Sequence, residues 1–286
     1  MRWRRGAGGP VEDRRGRPGA RTALPVGGGV AGIIVTLLIL FLGGGGGYGV
    51  DSPFEQFPAR EQPAGSTMDG APDADAKLVA FVKFVTGDLQ TFWAADFQRA
   101  GREFSPTRVV LFDQRGTDTG CGRGSSATGP FYCPADQQIY IDLGFFRLLS
   151  QRFRAPGDFA QAYVIAHEYG HHVQTLTGVT QQVDEASREN PDQRNALSVR
   201  VELQADCLAG VWAHSTFERG LLEQGDLEEG LTAAASVGDD RIQAETTGRI
   251  SPETFTHGTA EQRASWFKRG FDQGDATACD TFSNDI

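Results

Sequence analysis

Two histidines and a glutamate stand at a spacing that suits one metal ion. His167 and His171 lie four residues apart in AYVIAHEYGHHVQ, so on a helix their imidazoles project from the same face. Glu168 is rotated by about 100° from His167, where its carboxylate can reach a water on the ion without binding the ion itself. The spacing therefore predicts a zinc site that activates water.

A catalytic zinc ion takes three protein ligands and keeps one position open. The segment VELQADCLAG offers the third ligand, because Glu202 and Asp206 are again four residues apart on a predicted helix with apolar neighbours. We expect Glu202 to bind the ion and Asp206 to accept a hydrogen bond from a zinc-bound imidazole. Glu185 and Glu189 are rival ligands, but they lie in a polar stretch and have no carboxylate four residues later. A solvated helix face is the simpler alternative for Glu202 and Asp206.

Other polar residues near these motifs have plainer explanations. His172 points about 100° away from His171 on the helix, so we expect it at the surface or behind the ligands. His214 stands alone on a predicted helix. Asp239 and Asp240 are most simply a turn or a helix cap.

Periodicity predicts the elements that must position the site. Apolar residues at helical spacing predict helices at residues 77–99, 158–176 and 195–217, the second capped by Asp158. A Thr259–Gln262 capping box begins a last helix that runs to Phe271. Alternating residues predict strands at 108–113 and 137–142. A few strands followed mostly by helices indicate an α+β fold with a small sheet.

The composition excludes two broad classes of protein. The 286 residues carry a formal net charge of -10, which argues against a nucleic-acid binder. With 22% charged and 39% hydrophobic residues, the chain is also unlike a disordered protein.

A long uncharged segment separates a basic beginning from an acidic body. Residues 22–50 carry no charge and contain the apolar run VAGIIVTLLILFL, so we predict one transmembrane signal anchor at residues 26–48. A cleaved signal peptide is the alternative, but no A-x-A site follows the apolar run.

The arginines before this segment predict its orientation. Residues 1–25 hold seven arginines and two acidic residues, so we expect a cytoplasmic head. A flexible linker at residues 49–75 would then lead to an extracytoplasmic catalytic domain at residues 76–286, and the protein would be a single-pass inner-membrane protein that contacts the lipid bilayer through its anchor. An inverted anchor with a cytoplasmic enzyme is the alternative, and it breaks the charge rule.

The four cysteines fit an oxidising compartment. They allow three pairings, and none of them forms a CxxC motif. We favour Cys121 with Cys133, across a short Gly/Ser-rich loop, and therefore Cys207 with Cys279, which would pin the C-terminal tail to a helix. Free buried thiols in a cytosolic protein are the alternative.

Taken together, these motifs resemble the putative neutral zinc metallopeptidase family, whose HExxH plus ExxxD pattern is similar to that of the gluzincins. The resemblance runs from about residue 76 to the end of the chain, and VEDRRG at residues 11–16 resembles the cytoplasmic head of that family. It implies a zincin-like domain, one catalytic Zn²⁺ and a peptide or protein substrate.

The resemblance also implies roles for residues outside the two motifs. Tyr140, Ile141 and Asp142 would belong to an edge strand along which an extended peptide lies, with an ordinary core strand as the alternative. His257 in THGTAEQR would donate a hydrogen bond to the oxyanion, although Gly258 stands where similar enzymes usually have proline. Arg263 is a weaker candidate of the same kind.

The resulting prediction is a membrane-anchored zinc peptidase. Zinc held by His167, His171 and Glu202 would acidify its water, and Glu168 would take the proton of that water and pass it to the leaving amine. The alternative is a catalytically silent envelope scaffold with a structural zinc ion. Such a closed site needs a fourth protein ligand, and no cysteine lies near the histidines in sequence.

Overall fold

The computed structural model describes residues 1–4, 6, 8–16, 75–283 and 286. The strands are β1 (Val11–Asp13), β2 (Arg108–Phe112), β3 (Thr117–Thr119), β4 (Gly122–Gly124), β5 (Phe131–Cys133) and β6 (Gln138–Asp142). The helices are α1 (Ala76–Arg99), α2 (Gly144–Gln151), α3 (Asp158–Thr177), α4 (Val179–Glu189), α5 (Arg194–Glu218), α6 (Asp226–Ser236), α7 (Asp239–Thr246) and α8 (Ala260–Gln273). The prediction of a mostly helical α+β domain is confirmed.

The predicted anchor at residues 26–48 and linker at residues 49–75 lie almost wholly outside the described residues. Among the helices that the structure does describe, none is both long enough and apolar enough to cross a bilayer.

A four-stranded sheet lies beside the helices in the order β1, β2, β6, β5. The pairs β1–β2 and β2–β6 are parallel, and β5 runs antiparallel to β6. The β2 and β6 sequences, RVVLF and QIYID, are rich in β-branched and aromatic residues and are buried along most of their length. A separate hairpin joins β3 to β4.

The predicted substrate strand is an edge strand only in part, and its role in binding a peptide stays a prediction. Tyr140, Ile141 and Asp142 lie in β6, which pairs with β2 on one side and with β5 on the other. The pairing with β5 ends at Tyr140, so Ile141 and Asp142 have a strand partner on the β2 side alone, and all three residues are buried. The edge position next to β6 belongs to β5.

Helix α5 forms the centre of the helical layer, between α3 and α8. Gly270 makes the crossing with α8 possible, because a Cβ atom there would lie 1.9 Å from the carbonyl oxygen of Cys207. On its other side α5 packs against α3, where the rings of Trp212 and Phe159 stack 6.1 Å apart. Close packing of α5 on two helices fixes the residues on its inward faces.

The motif helix α3 ends as predicted but begins differently. Gly178 stops it in the left-handed conformation, with φ at 85°. Asp158 is the first residue of the helix and not its N-cap. The N-cap position is held by Gly157, which has no side chain to cap the helix. The carboxylate of Asp158 instead accepts a hydrogen bond from the Met1 ammonium group at 2.8 Å, so the predicted cap is wrong.

The described part of the N-terminal head is not a separate unit. Val11–Asp13 form the β1 strand of the domain's own sheet, and the Trp3 ring packs against Phe81 at 5.3 Å. The described residues of the head therefore pack on the domain, and the cytoplasmic placement of residues 1–25 stays a prediction. The arginine-rich pattern predicted the sign of the head's charge but not its acidic partners within the domain.

Both predicted disulfides are confirmed. Cys121 bonds to Cys133, and Cys207 bonds to Cys279 across 72 positions of the sequence. The second bond fixes the C-terminal tail to α5, which also carries Glu202.

Candidate metal centre

Two helices bring the candidate ligands together. His167, Glu168 and His171 lie on α3, and Glu202 lies on α5. Gly170 allows the two helices to approach closely, because a Cβ atom there would lie 2.9 Å from the Cα of Ala205. The predicted convergence of the HExxH and ExxxD segments is what the structure shows.

The three ligand side chains have the geometry of a metal site. His167 Nε2 lies 3.2 Å from one carboxylate oxygen of Glu202, and His171 Nε2 lies 3.6 Å from the other. Ligands about 2.0 Å from a tetrahedral ion stand about 3.3 Å apart, which matches these separations. Glu202 Oε1 is also buried without a hydrogen-bond partner, an arrangement that costs free energy unless a cation neutralises it. The residues present therefore fit one zinc ion.

A charged network orients His167. Its Nδ1–H donates to Asp206 at 2.8 Å, which leaves Nε2 to face Glu202. The same carboxylate accepts the Tyr163 hydroxyl and two bonds from Arg263, from Nε at 2.8 Å and from Nη2 at 3.0 Å. Burial raises the pKa of Asp206, but Arg263 and His167 outweigh that effect and lower it, so the carboxylate stays ionised.

A neutral amide orients His171. Its Nδ1–H donates to Gln174 Oε1 at 2.8 Å. Gln174 Nε2 donates in turn to the carbonyl oxygen of Val201 at 2.7 Å and to Gln204 Oε1 at 3.0 Å. The Nε2 atom of His171 is thereby left as the metal-binding nitrogen, as it is in His167.

Glu168 is buried beside the two histidines. Burial raises the pKa of its carboxyl group, and the neighbouring His171 and His167 side chains oppose that rise only in part. A carboxylate with a raised pKa accepts and returns a proton more readily near neutral pH.

His257 has a carboxylate partner, Asp239, for which the sequence predicted a turn or a helix cap. Its Nδ1 lies 3.1 Å from Asp239 Oδ1. The other oxygen of Asp239 accepts the backbone N–H groups of Thr256, His257 and Gly258. Burial lowers the pKa of His257, but the Asp239 hydrogen bond and the nearby Glu202 outweigh it and raise the pKa. Asp239 therefore fixes both the backbone and the ring of His257.

His172, Glu185 and Glu189 are not among the residues that could hold the metal at this site. His172 is fully buried, so its expected surface position is wrong, and its ring lies between Tyr132 OH at 3.1 Å and the Ser105 carbonyl at 2.7 Å. Glu185 and Glu189 are exposed on α4 and are not ligands.

Sequence reasoning missed three supporting residues and underrated a fourth. Gln174 could have been found, because it lies three residues after His171 and so shares its helix face. Tyr163 could have been found in the same way, because it lies four residues before His167 on the same helix. Arg263 and Asp239 gave no such signal, because each meets its partner only through the tertiary fold.

The profile of the family described as "putative neutral zinc metallopeptidase" matches residues 1–282 of this chain. The match includes the basic N-terminal residues, the strands and both metal-site motifs.

Relatives of this chain are found in distant bacteria. It is 46% identical over 301 aligned positions to "Uncharacterized protein YpfJ" of Escherichia coli K12, with all of both chains covered. It is 50% identical over 176 positions to "Uncharacterized protein Rv2575" of Mycobacterium tuberculosis H37Rv, which covers 58% of this chain and 59% of that one. No solved structure matches the chain.

Proposed function

The chain belongs to the putative neutral zinc metallopeptidase family, and on that premise we propose that it is a zinc-dependent peptidase that hydrolyses internal peptide bonds. The observation that carries the proposal is Glu168, buried against three residues arranged as zinc ligands. A structural zinc site has no need of a free carboxylate at that position.

The residues of the centre divide the work of hydrolysis. His167, His171 and Glu202 would hold one zinc ion, which when bound supplies the Lewis acidity that activates water and polarises a carbonyl group. Glu168 accepts the proton of the attacking water and then delivers it to the leaving amine. Its raised pKa suits both transfers.

His257 is the candidate for stabilising the oxyanion. Asp239 holds Nδ1 of the ring, so the opposite nitrogen can donate a hydrogen bond to the carbonyl oxygen as negative charge develops there. The raised pKa of His257 keeps the ring protonated over a wider pH range.

Strand β5 is a candidate peptide-binding strand beside β6. It lies at an edge of the sheet and packs against α3, and the hydroxyl of Tyr132 on β5 contacts His172 of the motif helix. An extended substrate could add to this edge through backbone hydrogen bonds, which recognise a peptide without requiring a particular sequence.

Membrane association of the uncharged segment at residues 26–48 belongs to the same proposal, which does not require that segment to cross the bilayer once. The two disulfides favour an oxidising compartment for the domain, where its substrate would be an envelope or secreted peptide or protein.

The test is cleavage of an unstructured protein such as casein by the full-length chain, with zinc content measured in every sample. The full chain is needed because β1 comes from the N-terminal residues. Glu168→Gln should retain zinc and lose about 10²- to 10⁴-fold in turnover, because it removes the general base and leaves the three ligands in place.

Glu185→Gln is the matched control, since Glu185 is exposed on α4 and should tolerate the change. Retained activity in Glu168→Gln would refute the mechanism. A wild-type protein that binds zinc and cleaves no substrate would instead support the envelope-scaffold alternative.

A further inference from the structure

The support of His171 extends beyond Gln174 to the C-terminal tail. Gln204 receives a hydrogen bond from Gln174 and gives one from Nε2 to the carbonyl oxygen of Cys279, at 3.0 Å. Cys279 is the residue that the second disulfide bonds to Cys207. An unbroken chain of hydrogen bonds therefore joins the tail to a metal ligand on α3.

The direction of every bond in this chain is fixed. A backbone carbonyl can only accept, so the atoms that face Val201 O and Cys279 O must be the amide nitrogens of Gln174 and Gln204. Gln174 Oε1 then faces His171, which must donate from Nδ1. The tail and α5 together select the imidazole tautomer whose Nε2 is available to a metal.

The tail is held where this chain needs it. The disulfide ties Cys279 to α5, and Thr281 donates to the Arg200 carbonyl at 2.7 Å. Cys207 and Cys279 are both buried. The Cys279 carbonyl is thereby fixed against the helix that carries Glu202.

We propose that Gln174 and Gln204 are positioning residues and that the disulfide-bonded tail holds His171 for metal binding through them. The proposal rests on the proposed zinc site. It assigns the Cys207–Cys279 bond a part in the metal centre, whereas Cys121–Cys133 lies in the β-sheet region and has no link to these amides.

Metal binding tests the proposal without relying on catalysis. Zinc affinity is measured by competition with a chromophoric chelator, and the visible spectrum of the Co²⁺ form reports the orientation of the ligands. Gln174→Leu should weaken zinc binding by about ten-fold or more and alter the Co²⁺ bands. Gln174→Glu should not restore the affinity, although a carboxylate still accepts from His171, because its second oxygen would face the acceptors Val201 O and Gln204 Oε1.

Gln204→Leu tests the link to the tail while leaving the disulfide intact. It should weaken zinc binding by about five-fold, the effect of one neutral hydrogen bond. Cys207→Ser combined with Cys279→Ser should weaken it by a similar factor. Gln181→Leu, at an exposed position on α4, and Cys121→Ser combined with Cys133→Ser are the matched controls and should keep wild-type zinc affinity.

Wild-type zinc affinity in Gln204→Leu would overturn the proposal, even if the paired serine variant failed to fold. An equal loss in the Cys121/Cys133 control would overturn it as well. A wild-type protein that bound no zinc would refute the metal site itself, which is a distinguishable failure.

A second inference comes from the N-terminal residues and is independent of the metal centre. The described residues between Met1 and Gly16 contact the domain at several points: Arg2 N donates to Leu221 O, Gly9 N donates to Lys83 O, and β1 pairs with β2. Gly16 N donates to Asp113 at 2.7 Å. These contacts make residues 1–16 part of one folded body with residues 75–283.

Residues on either side of the long undescribed segment, residues 17–74, also contact each other. Arg15 Nη1 lies 3.1 Å from Asp75 Oδ2, the residue just before α1. Arg15 also pairs with Asp13, and Arg14 with Glu12. Arg14 and Arg15, which in the sequence argued for a cytoplasmic head, thus pair with carboxylates of the same segment and with Asp75.

We infer that the N-terminal segment and the peptidase domain lie in the same aqueous compartment. A strand cannot pair across a bilayer, so the opposite placement predicted from the charge rule would require β1 to leave the sheet. The contacts of the described N-terminal residues favour an arrangement in which this segment and the domain stay together on one side of the membrane.

Cysteine labelling in intact cells decides the matter. Gly6 is exposed, and a Cβ atom there would meet nothing within 4 Å, so Gly6→Cys should fold normally. Ile250→Cys places the second reporter on the domain, where the wild-type side chain is 54% exposed. An impermeant maleimide should label both variants above the wild-type background, or neither until the cells are permeabilised. Labelling of only one of the two in intact cells would overturn the inference.

Discussion

The two histidines of the metal centre are supported by opposite kinds of chemistry. His167 donates to a carboxylate, Asp206, whose charge is balanced by the Arg263 guanidinium. His171 donates to the neutral amide of Gln174, which leads to a second amide, Gln204. Both sets of partners fix the same imidazole tautomer. They differ in how much folding free energy is lost when one partner is removed.

A buried charged support is stable only while it is complete. Asp206 and Arg263 are both almost fully buried, so removing Arg263 leaves Asp206 without water and without its main counter-charge, whereas removing Asp206 leaves Arg263 with Glu202 at 3.8 Å. A neutral chain loses about one hydrogen bond per deletion. We therefore expect the His167 side to control folding stability and both sides to control metal affinity.

The largest expected effect comes from breaking the charged side. Arg263→Met should lower the free energy of unfolding by about 3–5 kcal/mol, because Asp206 remains buried with its main counter-charge gone. Urea denaturation of the zinc-free protein, followed by tryptophan fluorescence, measures the loss.

Two further variants test that explanation. Arg269→Met is the control, because Arg269 stacks on Trp266 and pairs with no residue of the centre. Arg263→Met combined with Asp206→Leu should recover much of the stability while zinc binding stays weak, since neither member of the buried pair is left without the other but His167 has lost its acceptor. A double variant as unstable as Arg263→Met would contradict the charge argument.

Metal affinity gives a smaller effect that compares the two sides directly. Asp206→Asn should weaken zinc binding by about 10- to 100-fold, because a neutral oxygen is a poorer acceptor for His167 than a carboxylate. Chelator competition measures this loss beside that of Gln174→Leu.

If the two supports are independent, the double variant Asp206→Asn with Gln174→Leu should show the sum of the two losses in binding free energy. A deviation above about 0.5 kcal/mol would mean that the supports are coupled, through Glu202 or through the crossing of α3 and α5.

The sequence predicted the parts of this centre that follow from helical periodicity. His167 and His171, or Glu202 and Asp206, need only a four-residue spacing on one helix to share a face. Gly178 at the end of α3 and the Thr259–Gln262 capping box are equally local, and both are confirmed.

The parts that depend on contacts between distant segments could not be read in the same way. Asp239 and Arg263 have no periodic relation to His257 or Asp206, and only the packing of helices brings them together. The β1 strand is three residues long and pairs with a segment almost a hundred positions away, so its VED sequence gives no strand signal. The same non-local pairing is why the basic head was read as a separate unit.

A third histidine on the motif helix, His172, gives the smallest expected effect, on the pH dependence of stability. It tests how well uncharged hydrogen-bond partners hold a buried imidazole. His172 must donate from Nε2 to the Ser105 carbonyl, and in its neutral form Nδ1 accepts the Tyr132 hydroxyl. Burial lowers its pKa below the ordinary value of 6.5. Below pH 6.5 the unfolded chain then binds a proton that the folded chain does not, so stability is lost as the pH falls through this range.

The contribution of one such group is at most about 1.4 kcal/mol per pH unit. We expect the free energy of unfolding to fall more steeply between pH 6.5 and pH 5 in the wild type than in His172→Gln, which has no ionisable ring. Denaturation of both proteins across this range isolates the difference, because the metal ligands and the other carboxyl groups titrate in both. Equal slopes would mean that His172 takes up its proton without leaving the fold, and that neutral hydrogen bonds do not hold it as they hold His171.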